Sequence, residues 1–178
     1  MSRKKITTSI SLGKLILALQ ALLLGVVAAH GDAYSIVDFN QLASLPYDPV
    51  VPENVKKIYV RDDREYLEQY VPAEVLALDG KPVEIAGYML PLAIKDEKVS
   101  EFLLMADTTA CCYGIMPAFN AMVFAKSKKG VNLFDNLPVR IRGVLKVEEV
   151  WQQGFFSHLY YLEVEELAFG FGLGIPMK

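Results

Sequence analysis

From Pro82 onward apolar and polar positions alternate, with Val83, Ile85, Gly87 and Met89 on one phase and Glu84, Ala86, Tyr88 and Leu90 on the other. A period of two predicts a strand with a distinct inner face. The phrase returns at Pro138, where Val139, Ile141, Gly143, Leu145 and Val147 alternate with Arg140, Arg142, Val144 and Lys146, so Pro-Val-x-Ile-x-Gly occurs twice. Glycine inside a strand marks a bulge or a tight bend, which a small barrel needs in order to curl and close. Three further strands are predicted over residues 102–106, 121–125 and 158–167; in the last, Tyr160, Leu162 and Val164 alternate with Tyr161, Glu163 and Glu165. Five short strands predict a mainly β fold, a small five-stranded OB-like Greek-key barrel, rather than a sandwich of seven or more.

The chain ahead of the barrel reads differently. Residues 32–60 carry Pro46, Pro49 and Pro52 with weak periodicity, which predicts an extended arm. Around Tyr66, Leu67 and Tyr70 the charges of Asp62, Asp63, Arg64, Glu65 and Glu68 predict a short surface helix with acidic residues at its start. Asp79-Gly80 is a turn signal. Within the barrel, the polar connection 126–137 has room for one helical turn, and residues 148–157 read as the link into the last strand. The expected organisation is a signal peptide over 1–31, an arm with a short helix over 32–80, the barrel over 81–167 and a Gly-rich apolar tail over 168–178.

The signal peptide rests on Arg3, Lys4 and Lys5 followed by an apolar core from Leu15 to Ala29 and then small residues. That core, about 15 residues, is shorter than the roughly 20 that span a bilayer. The expected location is the periplasm of a Gram-negative bacterium, with membrane contact only through a retained signal segment or the apolar tail. Loss of residues 1–31 removes Arg3, Lys4, Lys5 and Lys14 and no acid, so the formal charge moves from -3 to -7. An acidic protein repels phosphate backbones, which argues against nucleic acid as a partner. The remaining length suits one domain.

Export gives meaning to the only two cysteines, Cys111 and Cys112, which stand side by side in a predicted loop. Adjacent α-carbons lie about 3.8 Å apart, below the usual disulfide span of about 4.4 to 6.8 Å, so a bond between the two is a poor staple. In an oxidising compartment unpaired thiols need burial, a metal or a redox partner. Thiolates favour Cu(I) or Zn(II), and Met116, Met105 or His158 offer further ligands. Thiol redox chemistry is a second reading, although Cys-x-x-Cys spacing is absent. In the third, both cysteines pack as small hydrophobes in a turn ordered by Gly114 and Pro117.

The residues Phe102-Leu103-Leu104, then Cys111 with Pro117 and Asn120 behind it and a Val-x-Phe strand after, resemble a bacterial envelope family, domain of unknown function 3299. The upstream run from Leu78 through Gly80, Lys81, Val83, Ile85, Gly87, Tyr88 and Pro91 is similar to that family's first strand. The resemblance covers about residues 78–167. It implies a secreted OB-like domain without an assigned activity, with some members encoded beside metal-linked transporters, and hence an envelope protein or transporter component as partner. It also marks Gly87, Pro117 and Asn120 as motif residues, beside Gly114 of the turn. One departure stands out: where the family pattern carries Cys-x-His followed by several prolines, this chain has Tyr113 and only Pro117. Cys112 then becomes the candidate second soft ligand.

Counting strand directions places the dicysteine loop and the 148–157 link at one end of the barrel, where Trp151, Phe155, Phe156 and His158 approach Cys111 and Cys112. Trp151, Phe155 and Phe156 there suggest a stacking platform for a partner, or a cap folded over the barrel mouth. No Gly-x-Ser-x-Gly elbow, phosphate-cradling glycine loop or His-Glu-x-x-His occurs. The sequence thus points to a non-catalytic binding or accessory module, with copper or zinc as the candidate metal at Cys111, Cys112, Met116 and His158. The alternatives are a thiol-redox protein and an interaction module with structural cysteines.

Overall fold

The computed structural model describes residues 34–53, 55, 57–109, 113–115 and 117–170. The expected signal segment, Cys111, Cys112, Met116 and the end of the tail lie outside the described residues. Five strands form the barrel: β3 (Pro82–Lys95), β4 (Lys98–Met105), β5 (Met122–Val131), β6 (Pro138–Gln152) and β7 (Phe155–Phe169). Pairing runs β3-β4-β5-β7-β6, and β6 returns to β3 to close the ring. Only β5 and β7 are parallel within it. This is the OB-like Greek-key barrel that the alternation predicts. Its interior is filled by the inward phase of each strand, with Val83, Ile85, Phe102, Leu104, Val123, Ala125, Ile141, Leu145 and Leu162 all buried.

Two expectations for the connections are corrected. Residues 148–157 are not a loop. β6 continues through Gln152 and turns directly into β7 through Gln153 and Gly154, both with positive φ, as a two-residue hairpin turn requires. The hairpin is hidden in the sequence because Gln153, not the usual Asn or Gly, takes the first left-handed position. An extra β6 residue between Val147 and Val150 also breaks the alternation. Nor does a helical turn form in 126–137. β5 runs to Val131 because Lys126 and Lys128 are outward strand positions, held by ion pairs to Glu101 and Glu163.

The arm is more structured than its prolines suggest. β1 (Ser35–Val37) lies parallel to β3, and β2 (Ile58–Arg61) lies antiparallel to β6, so the arm adds a strand at each of two places on the barrel wall. Between them α1 (Phe39–Leu42) starts with a capping box, in which Asp38 accepts from the Gln41 backbone and Gln41 accepts in return. Phe39, Leu42 and Tyr47 are buried, and Tyr160 of β7 donates its hydroxyl to the Leu42 carbonyl at 2.8 Å. The expected charged helix is α2 (Arg64–Leu67), capped by Asp63. α3 (Ala73–Leu76) follows and leads into the turn at Gly80. No described helix is long and apolar enough to cross a membrane.

Gly87 and Gly143 show why the repeated phrase needs its glycine. A Cβ at Gly87 would sit 2.4 Å from the Met105 carbonyl oxygen, and one at Gly143 would sit 2.0 Å from that of Glu163. β6 and β7 also change register at Arg142 and Gly143. The backbones approach too closely there for any side chain, as tight curling demands. Gly143→Ala is expected to lower unfolding stability by about 3 kcal/mol in urea denaturation, because backbone rather than a flexible side chain must move. A loss below about 1 kcal/mol would show that the strands separate easily at this point.

Candidate functional site

The inward phase of β6 runs Val139, Ile141, Gly143, Leu145 and Val147, and past the extra residue that breaks it Glu149, Val150 and Trp151 are all buried. A carboxylate therefore stands where an apolar side chain is expected. Glu149 is fully buried. Its Oε2 accepts from Tyr47 at 2.7 Å and from Tyr66 at 3.0 Å, and its Oε1 accepts from Trp151 Nε1 at 2.7 Å. Arg61, directly opposite on β2, brings Nη1 to 3.0 Å from Oε1 as an ion pair, without the alignment of a hydrogen bond. Its guanidinium also lies 4.1 Å from the centre of the Tyr66 ring. Burial, then the hydrogen bond to Glu149, raises the Tyr47 phenol, and the same causes raise Tyr66 to about 12. Both stay protonated donors. With four partners on two oxygens, Glu149 clamps three parts of the arm to the barrel and offers no free edge to a substrate.

Beside the clamp lies the end of the dicysteine segment. The short 3₁₀ turn Phe119–Ala121 leads into β5, and Asn120, buried, donates to the Leu45 carbonyl at 2.8 Å. The motif asparagine therefore pins the segment to the arm two residues before Tyr47. Phe119 packs edge-on to Phe156 at 4.9 Å, and Phe156 in turn meets Tyr47 and Trp151. The expected approach of Trp151, Phe155, Phe156 and His158 to Cys111 and Cys112 lies outside the described residues; the described contact between the two regions is Phe119 with Phe156. Gly114 takes a left-handed φ of 68°, and Tyr113 and Ile115 beside it are exposed.

Trp151 is not part of a stacking platform: it is buried, its indole committed to Glu149, and it forms a cap. Phe155 alone of the three aromatics is freely exposed, at 78%, and with Ile58, at 69%, it borders an open groove of about 490 Å³ lined also by Lys57, Gln152, Gln153, Phe156 and Ser157.

His158 lies on the barrel exterior. Its ring stacks on Phe124 at 5.0 Å between centroids and leans on Tyr161 at 5.8 Å. Nδ1 shares a 3.0 Å hydrogen bond with Ser157 Oγ, while Nε2 is buried with no partner. Burial pushes its pKa down to about 4, so the imidazole is neutral at neutral pH. Among the described residues no three imidazole, thiol or carboxylate groups come together to hold a metal. Met105 and Met122 are buried, as is Met89 in the core.

Residues 40–168 match the family described as Protein of unknown function (DUF3299). The chain belongs to the DUF3299 family. It is similar in structure to a crystallographically determined DUF3299 family protein, PA4066, from Pseudomonas aeruginosa PAO1, solved at 2.45 Å. The identity is 27%, the match covers 80% of this chain and 99% of that one, and the TM-score is 0.54. No curated protein matches the chain.

In this DUF3299 protein the clamp at Glu149 was not anticipated from sequence. Its signal is a carboxylate near the end of a strand, two residues before a tryptophan. Glu149→Ala is expected to cost about 3 to 5 kcal/mol in urea denaturation, because it strands Arg61, two phenols and an indole N–H together. Phe155→Ser should stay within about 0.5 kcal/mol. Comparable losses in the two variants would contradict the clamp. His158 gives a pH signature. An unfolded imidazole titrates near 6.5 and the native one near 4, so as pH falls through that window the unfolded chain takes the extra proton and stability declines. About 3 kcal/mol of that decline should vanish in His158→Phe when unfolding is measured at pH 7 and pH 4.

Proposed function

We propose that this DUF3299 protein is a non-catalytic accessory module of the bacterial cell envelope that binds a soft metal, copper or zinc, at the dicysteine end of its barrel. Cys111 and Cys112 supply thiolates and His158 supplies nitrogen. The observation that carries this reading is the buried, unpartnered Nε2 of His158 on a neutral imidazole. Leaving such an atom unsatisfied costs about 1 to 3 kcal/mol, a cost that coordination removes. The contact of Phe119 with Phe156 also supports it, since this brings the end of the dicysteine segment to the base of β7. Periplasmic location rests on residues 1–31. An envelope transporter component is the natural recipient of the metal.

A second reading, docking of a partner protein, has its own observation. β2 is an edge strand whose Ile58, Tyr59 and Val60 are all exposed, beside the groove at Phe155. An extended apolar segment of an envelope protein would add to that edge through backbone hydrogen bonds.

Metal equivalents retained after gel filtration separate the readings. The expected result is near-stoichiometric copper or zinc on the protein lacking residues 1–31, falling severalfold in Cys111→Ser and in Cys112→Ser. No retained metal, with rapid thiol cycling by an envelope oxidant, would replace metal binding with the redox reading. No metal and inert thiols would leave the docking reading alone.

A further inference from the structure

Thiolate and imidazole suit both copper and zinc, and the barrel exterior narrows the choice. Inward positions of β4 and β5 pair as Phe102 with Ala125 and Leu104 with Val123. Strict alternation then puts the pairs Leu103 with Phe124 and Met105 with Met122 on the outside, together with the ion-paired Glu101 and Lys126. Outward side chains of a barrel meet water unless something covers them. Met105 and Met122 are nonetheless only 1% and 8% exposed, and His158 is 8% exposed. All three lie where the chain leaves β4 for the 106–121 connection and re-enters at β5.

The imidazole belongs to the same patch. β5 and β7 run parallel with Phe124 level with Tyr161, so His158, which precedes Tyr161, lies toward the Met122 end of that seam. Its ring stacks on Phe124, which shares the outward phase of β5 with Met122. Met105 is the direct cross-strand partner of Met122, where facing side chains have Cβ atoms about 5 Å apart. Two long, flexible thioethers paired across β4 and β5, and one imidazole nitrogen without a partner, thus lie on one buried exterior patch.

We propose that Met105, Met122 and His158 form a Cu(I) site of two thioether sulfurs and one imidazole nitrogen on the outside of the barrel. The inference rests on the metal-binding reading above but does not need the cysteines. Thioethers are uncharged, soft donors that suit Cu(I), whereas zinc takes thiolate, imidazole and carboxylate. A site with no anionic ligand discriminates by softness rather than charge.

The test uses the protein lacking residues 1–31, with both cysteines replaced as Cys111→Ser/Cys112→Ser. It is titrated anaerobically with Cu(I) against a chromophoric Cu(I) chelator, in parallel with Zn(II), and with Ag(I) as a redox-silent stand-in. The expected result is one Cu(I) bound at equilibrium, more weakly than when the cysteines are present, so that less metal survives gel filtration in the cysteine variants, and no competitive zinc binding. In that background, Met105→Leu/Met122→Leu and His158→Phe each weaken Cu(I) by roughly a hundredfold, since losing even a group that supports a ligand costs roughly 10- to 100-fold. Methionine to leucine conserves volume, so folding should survive. A readout without substitution guards the conclusion: on adding Ag(I), the NMR methyl signals of Met105 and Met122 shift and that of core Met89 does not. Wild-type binding that disappears entirely in the double cysteine variant overturns this site and leaves the cysteine-based reading standing. Unmoved Met105 and Met122 methyl signals, or equal affinity for zinc, overturn it as well. A wild-type protein that binds neither metal overturns both readings.

Discussion

A buried carboxylate holds this protein together at the place where function is proposed. Glu149 sits near the end of β6 with no exposure, and its two oxygens take Tyr47, Tyr66, Trp151 and Arg61. Those partners come from the loop after α1, from α2, from β6 itself and from β2. A buried charge is tolerated only when its partners are arranged around it, so the arm has one way to lie against the barrel. Consequences spread from there. Tyr47 stands two residues after Leu45, whose carbonyl receives Asn120, and its ring packs on Phe156, which packs on Phe119. The clamp thereby places the exit of the dicysteine segment.

This arrangement separates stability from function across the barrel wall. The interior is a closed apolar core that needs glycine at 87 and 143 to curl. The clamp is saturated and holds no substrate-facing group. The proposed chemistry belongs to the exterior of β4, β5 and β7, where Met105, Met122 and His158 are buried. A rigid barrel under that seam is what a preorganised ligand set requires.

The barrel was legible because strands with one buried face alternate, and the repeated Pro-Val-x-Ile-x-Gly marked two paired strands whose backbones touch. The arm was harder to read. Prolines at 46, 49 and 52 dominate its pattern, while β1 and β2 owe their existence to edges of β3 and β6 that no local signal announces. The β6–β7 hairpin was missed because Gln153 replaces the residue that usually marks such a turn. Within the candidate site His158 stands out in the sequence as the one histidine of the barrel. Glu149 was missed because a glutamate near a predicted strand end reads as solvent-facing, and only the continuation of β6 through Trp151 reveals that it is buried. Trp151 was open between a stacking platform and a cap, and its burial against Glu149 makes it a cap.

The central claim is that the barrel end carries a soft metal in the cell, and the most direct measurement is the metal content of the mature protein isolated from the cell envelope at its native level. The account predicts copper close to one equivalent per chain, accompanied by absorption-edge fine structure showing both sulfur and a light nitrogen neighbour. Protein recovered free of copper and zinc, with Nε2 of His158 bonded only to water, would contradict it.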